Sequence, residues 1–250
     1  MPEIATIDIG GMTIRYRQAG HGDPVLLLHG WGGSLESMDP IFNAITPYFR
    51  ATSIDFPGHG QSSLPPEPWH VSDFLDLTMR FMDRMELQRP HIVSHSFGGR
   101  VTIKLAAQHP ERAGKLLFTA GAGVKPPLSA KQKLKRAAAK LKFLAPAGLR
   151  ERAAPYLASS DYANAGALRP TLRHVVDEDL TPLLASVQSP CLLIWGDQDH
   201  ETPPYCGETM HRLLPHNEYI VFPGAGHFPY LDQLHKFNLL ALKFLRDEAA

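Results

Sequence analysis

Short continuous apolar runs alternate along the chain with longer segments whose apolar residues recur at helical spacing. The opening differs: residues 4–9 and 12–17 alternate apolar and polar positions around Gly10-Gly11. Two glycines supply the positive φ angles of a two-residue turn, so an antiparallel hairpin is predicted. From residue 25 the runs become unbroken, at 25–28, 51–54, 91–94, 115–119, 191–195 and 219–222, as expected of strands covered on both faces. Helical periodicity marks 34–48, 72–85, 100–108, 205–214 and 231–246. Strands alternating with helices predict an α/β fold with a mostly parallel, doubly wound sheet, made mixed by the hairpin.

Between Gly123 and Thr181 the rhythm stops. This stretch has no convincing strand and is rich in Lys, Ala, Leu and Pro. Leu134, Ala137, Ala138, Leu141 and Leu144 fall on one helical face, with Lys133, Lys135, Arg136, Lys140 and Lys142 mostly elsewhere. A helical insertion with a solvated basic face is the plain expectation. A basic amphipathic surface that docks on anionic lipid is the alternative.

At 250 residues and 44% hydrophobic, the chain is long enough for one full α/β core. Lys plus Arg equals Asp plus Glu at 25 each, which gives no global attraction to nucleic acid or a membrane surface. Cys191 and Cys206 provide neither a disulfide framework nor a zinc-ligand set. No apolar run approaches the roughly 18 residues of a membrane span, and the opening residues lack a basic segment followed by an apolar one. A cytoplasmic protein acting on a small-molecule substrate is expected, with no nucleic acid partner; oligomeric state is not encoded in any motif.

Ser94-His95-Ser96-Phe97-Gly98-Gly99 joins the apolar run 91–94 to the helical segment 100–108 through a very tight turn. A strand that becomes a helix within about two residues strains the residue at the bend and exposes its side chain, which describes a nucleophile elbow presenting Ser96. Gly98 and Gly99 are expected where a side chain would collide with the incoming strand. The sequence here resembles the α/β-hydrolase family, whose elbow reads G-x-S-x-G, with Ser94 replacing the first glycine. Asp55-Phe56-Pro57-Gly58-His59-Gly60-Gln61-Ser62 matches the family's D-x-P-G-H-G-x-S turn, a structural pattern in most members, so Asp55 and His59 stay outside the catalytic set.

Of the 13 histidines, His227 stands out because Gly224-Ala225-Gly226 lets its loop curl over the sheet edge directly after the run 219–222. A neutral imidazole can take a proton from a serine hydroxyl near pH 7 and return it. In the family this histidine is followed by G-x-x-x-x-E, and Asp232 stands at the acidic position here. Trp195-Gly196-Asp197-Gln198-Asp199 offers two carboxylates after another strand. The resemblance selects Asp199 as the orienting acid and leaves Asp197 a turn residue bonded to local backbone. The order Ser96, Asp199, His227 is that of this fold. Two backbone donors are implied for an oxyanion: Phe97, which opens a helix, and Trp31 in His29-Gly30-Trp31-Gly32-Gly33, where His29 braces the loop.

No phosphate-loop or helical metal-ligand motif occurs, and a serine mechanism requires no cofactor. The resemblance implies residues 1–123 and 182–250 as the hydrolase core and 124–181 as a helical cap inserted after the sixth strand. It implies cleavage of a small carboxylic ester or related acyl bond through an acyl-Ser96 intermediate. Carbon–carbon bond hydrolases, cofactor-free haloperoxidases, a menaquinone-pathway lyase and slow ligand-binding receptors share the constellation and remain alternatives.

Overall fold

The computed structural model of the protein describes residues 3–125 and 165–247. Among these residues the centre is an eight-stranded sheet, in spatial order β1-β2-β4-β3-β5-β6-β7-β8. Its strands are β1 (Glu3–Ile9), β2 (Met12–Ala19), β3 (Pro24–Leu28), β4 (Arg50–Ile54), β5 (His91–His95), β6 (Leu116–Thr119), β7 (Cys191–Gly196) and β8 (Asn217–Phe222). β2 pairs antiparallel with β1 and β4, and the remaining neighbours are parallel. The hairpin forms as the alternation predicts, with Ile9 opposite Met12 and Gly10 and Gly11 at φ 64° and 85°.

The inner strands β3 to β7 are buried almost throughout, β6 and β7 at every residue, while the edge strand β8 is buried only at Phe222. Each face carries its own apolar layer, one including Phe74, Phe97, Val101 and Trp195, the other Phe42, Phe222, Tyr230 and Phe237. The layers are closed by α1 (Asp39–Ile45), α2 (Val71–Arg84), α3 (Phe97–Gln108), α4 (Arg169–Asp177), α5 (Pro204–Leu213), α6 (Pro229–Asp232) and α7 (Leu234–Leu245).

Two helices expected to be continuous are broken. Residues 34–48 form a 3₁₀ turn, Leu35–Met38, followed by α1, because Met38 at φ −97°, ψ 4° leaves the helical region just before Pro40, which lacks an N–H. Residues 231–246 divide at Gln233, whose backbone turns to φ −133°, ψ 56° while its side-chain amide donates to the Pro223 carbonyl at 2.7 Å.

The amphipathic face through Leu134 and Leu144, with all of 126–164, lies outside the described residues. The described part of the strandless stretch is well docked. Val175 of α4 and Leu180 belong to the same apolar layer as Phe97 and Val101. Trp69 N–H donates to Thr171 Oγ1 at 3.1 Å, Lys104 pairs with Glu178 at 2.7 Å, and Arg100 donates to the Glu178 carbonyl at 2.8 Å.

The strand order fixes where a ligand can sit. From β3 the chain passes to β4 on one side and returns through α2 to β5 on the other. Loops leaving the carboxyl ends of β3 and β5 therefore diverge and open a crevice between them. The pairings Leu28 with Ser94, His95 with Thr119 and Gly196 with Phe222 bring the carboxyl ends of β3, β5, β6, β7 and β8 to one edge. No helix among the described residues is long and apolar enough to cross a membrane.

Candidate active site

Ser96 sits at the bend between β5 and α3 with φ 45° and ψ −110°, a region that costs a non-glycine residue about 1–3 kcal/mol. The bend is held by its backbone. Ser96 N–H donates to the Thr119 carbonyl at 3.2 Å, and the Ser96 carbonyl accepts from Gly99 at 2.9 Å and Ala122 at 2.8 Å. Its hydroxyl makes no capping bond to α3, which leaves it available to the crevice. A side chain at Gly98 would overlap the Leu28 carbonyl of neighbouring β3, and one at Gly99 would press on Gly121 Cα at 3.1 Å. The steric demand thus comes from neighbouring β3 and from the loop after β6 rather than from the incoming strand. Ser94 fits the first elbow position because its buried hydroxyl turns toward the Leu117 carbonyl at 3.5 Å.

Asp199 and His227 meet across the loops after β7 and β8. His227 Nδ1 lies 2.9 Å from Asp199 Oδ2. Asp199 Oδ1 accepts from the N–H groups of Glu201 and Thr202, both at 2.9 Å, and the Thr202 hydroxyl stands 2.8 Å from Oδ2. Burial raises the Asp199 pKa, but the hydrogen bond from His227, its charge and the Thr202 bonds outweigh that and hold the carboxyl below its ordinary value. An ionised Asp199 requires the proton on His227 Nδ1, leaving Nε2 as an acceptor. Asp232, at the family's acidic position, accepts from Gly226 N–H at 2.8 Å and so ties down the loop carrying His227. Asp197 is exposed and receives Gly224 N–H at 2.8 Å. It braces the adjacent loop rather than its own backbone, because β7 and β8 end side by side.

The loop after β3 brings Trp31 to the same edge. Trp31 N–H makes no hydrogen bond to a described residue, and Phe97, as first residue of α3, has no helical carbonyl behind it. His29 is a fully buried brace, accepting Phe56 N–H at Nε2 (3.0 Å) and facing the Gly30 carbonyl from Nδ1 (2.7 Å); burial lowers its pKa to about 3. Asp55 accepts from Gln61 N–H at 2.9 Å within its own turn, and ties that turn to Leu35 N–H at 2.6 Å and to Arg15 of β2 at 3.2 Å.

Ser96, Trp31 and His227 line one cavity of about 360 Å³, together with Ser37 and Phe228. Among the described residues no group of three or more His, Cys, Asp or Glu is arranged to hold a metal ion. Residues 25–238, which include Asp199 and every described residue lining this cavity, match the model of the Alpha/beta hydrolase family. The chain belongs to that family.

Its relatives span several activities. The chain is 28% identical over 260 residues to the dihydrolipoyllysine-residue acetyltransferase component of the acetoin cleaving system of Pseudomonas putida, covering 96% of this chain and 68% of that one. It is 27% identical over 244 residues to the pimeloyl-(acyl-carrier protein) methyl ester esterase of Neisseria meningitidis serogroup C, covering 88% and 93%. Among solved structures, a hydrolase from Pseudomonas aeruginosa superposes with TM-score 0.77 at 27% identity over 97% of this chain and 98% of that one. A membrane phospholipase A reaches TM-score 0.81 at 24% identity over 98% and 86%, a likeness of fold.

Two site residues escaped the sequence reading. His95, inside the elbow, reaches the His227 carbonyl; nothing in its spacing announces that contact. Thr202 was legible in principle, since an aspartate commonly accepts the N–H groups two and three residues on.

Proposed function

We propose that this α/β-hydrolase cleaves a small carboxylic ester or related acyl bond with Ser96 as nucleophile, His227 as general base and acid, and Asp199 as the orienting acid. The observation that carries this reading is the shared cavity: Ser96, on a strained bend, and His227, bonded to Asp199 at 2.9 Å, face the same space. Ser96 Oγ attacks the acyl carbon as its proton passes to His227 Nε2. The N–H groups of Trp31 and Phe97 receive the charge on the former carbonyl oxygen. Collapse of the tetrahedral species expels the alcohol, which takes the proton from His227 and leaves an acyl-Ser96 ester. Water then attacks that ester with His227 again as base, and the acid leaves.

In the same reading residues 124–181 form a helical cap over the cavity, the chain acts in the cytoplasm, and the reaction uses no cofactor. The test combines covalent labelling with turnover. A fluorophosphonate probe is expected to label Ser96, and Ser96→Ala is expected to abolish both labelling and hydrolysis of a graded series of acyl esters. Equal labelling of the mutant places the nucleophile elsewhere. A carbon–carbon hydrolase substrate run beside the esters, if turned over faster than all of them, replaces ester cleavage with that alternative.

A further inference from the structure

Glu201 contributes to the cavity wall beside Ser96 and His227. Its main chain is pinned, because its N–H donates to Asp199 Oδ1 at 2.9 Å and the next N–H does the same. Its side chain is exposed and forms no salt bridge with a described residue. The rest of the described lining is glycine, Trp31, Ser37, Ser96, Phe228 and the histidines His95 and His227. His95 is neutral at working pH, since burial lowers its pKa to about 3. Glu201 is therefore the one permanent charge of the described wall, and the ionised Asp199 stands directly behind His227.

A cleft with charge of one sign focuses its field on whatever enters, and a carboxylate near its mouth acts chiefly on encounter and salt dependence. Building on the serine-hydrolase reading, we infer that Glu201 makes this cavity select acyl substrates by charge. It favours chains ending in a cationic or neutral group over chains ending in a carboxylate. A carboxylate terminus entering this space meets the Glu201 carboxylate on the wall and the Asp199 carboxylate behind His227. An ammonium terminus meets a carboxylate that has no salt-bridge partner among the described residues and whose main chain is held in place.

The experiment uses the full chain and three fluorophosphonates with matched tails ending in trimethylammonium, tert-butyl and carboxylate. The second-order rate of phosphonylation is measured at low and high salt, and the labelled peptide is identified by mass spectrometry. The wild type is expected to react faster with the cationic than with the anionic probe. That ratio is expected to fall about fivefold in Glu201→Gln and to invert in Glu201→Lys, while high salt compresses the wild-type ratio because the Debye length shrinks from about 10 Å at 0.1 M to about 3 Å at 1 M. Ser96-dependent labelling with a ratio that neither variant moves overturns the inference while leaving the serine reading intact. A wild-type preference for the anionic probe also overturns it. Labelling that persists in Ser96→Ala overturns the serine reading instead.

Discussion

The imidazole Nε2 of His95 lies 2.9 Å from the main-chain oxygen of His227. A carbonyl only accepts, so Nε2 carries the proton and His95 is the donor. The same ring packs against Gly30, where an added Cβ would lie 2.7 Å from His95 Nδ1. One buried side chain therefore fixes the spacing between the elbow, the loop after β8 that presents His227, and the loop after β3 that presents Trp31.

Replacing His95 separates positioning from general stability. Misplacing a catalytic group by about 1 Å can cost 100-fold in rate. His95→Leu removes the donor and is expected to lower kcat by about one to two orders of magnitude with little change in KM. His95→Gln retains an amide donor and should recover much of that loss. Steady-state kinetics of both variants decide the point; equal kcat losses would leave His95 as mere packing.

The two carboxylates after β7 should behave oppositely. Neutralising the acid that orients the base cost about 10⁴ in kcat in the serine-protease example of this chemistry. Asp199→Asn is therefore expected to lower kcat by several orders of magnitude with little effect on Tm. Asp197→Asn replaces the charged acceptor of Gly224 N–H by a neutral amide oxygen and should cost roughly 0.5–2 kcal/mol of stability while sparing the chemistry. An inactive Asp197→Asn beside an active Asp199→Asn would reverse the assignment.

Acid should destabilise the fold through its buried histidines. His29 and His95 have their pKa lowered from 6.5 to about 3, first of all by burial, and burial also lowers those of His59 and His91. Below pH 6.5 the unfolded chain binds protons that the folded chain refuses, so this contribution is complete above pH 6.5 and is lost progressively as pH falls toward 3. Each such group adds up to about 1.4 kcal/mol per pH unit to the slope. Urea unfolding at steps between pH 7.5 and 4.5 should show stability falling below 6.5, with a shallower slope in His95→Gln. A flat profile through pH 5 contradicts this account.

Trimming residues 124–181 in two steps should reveal where the core ends. Replacing residues 126–164 with a short Gly/Ser linker is expected to leave a cooperative unfolding transition and to change substrate selectivity more than Tm. Extending the replacement to 124–181 also removes Val124, Val175 and Leu180 from the apolar layer beneath α3, together with the Glu178 partners of Arg100 and Lys104. Losses of buried aliphatic side chains cost about 2–5 kcal/mol each, so that variant should be strongly destabilised. Thermal melts of the two variants distinguish the outcomes.

The sequence by itself determined the layered α/β architecture, the hairpin at Gly10-Gly11, the positions of the strands and the bend at Ser96. Each rests on information within a few residues: period-two alternation, unbroken apolar runs, or a strand and a helix too close together for anything but a tight turn. Its resemblance to the family's motifs also pointed to Asp199 and His227. What only the tertiary structure decided depends on which strands become neighbours. Gly98 answers to Leu28, Asp197 to Gly224, and His95 to His227, contacts spanning 27 to 132 residues of chain. The breaks near Met38 and at Gln233 likewise arise where helices must turn to cover the sheet; helical periodicity runs through both, and only Pro40 marks the first. Strand order is set by which apolar faces bury one another, and that choice alone opens the crevice between β3 and β5.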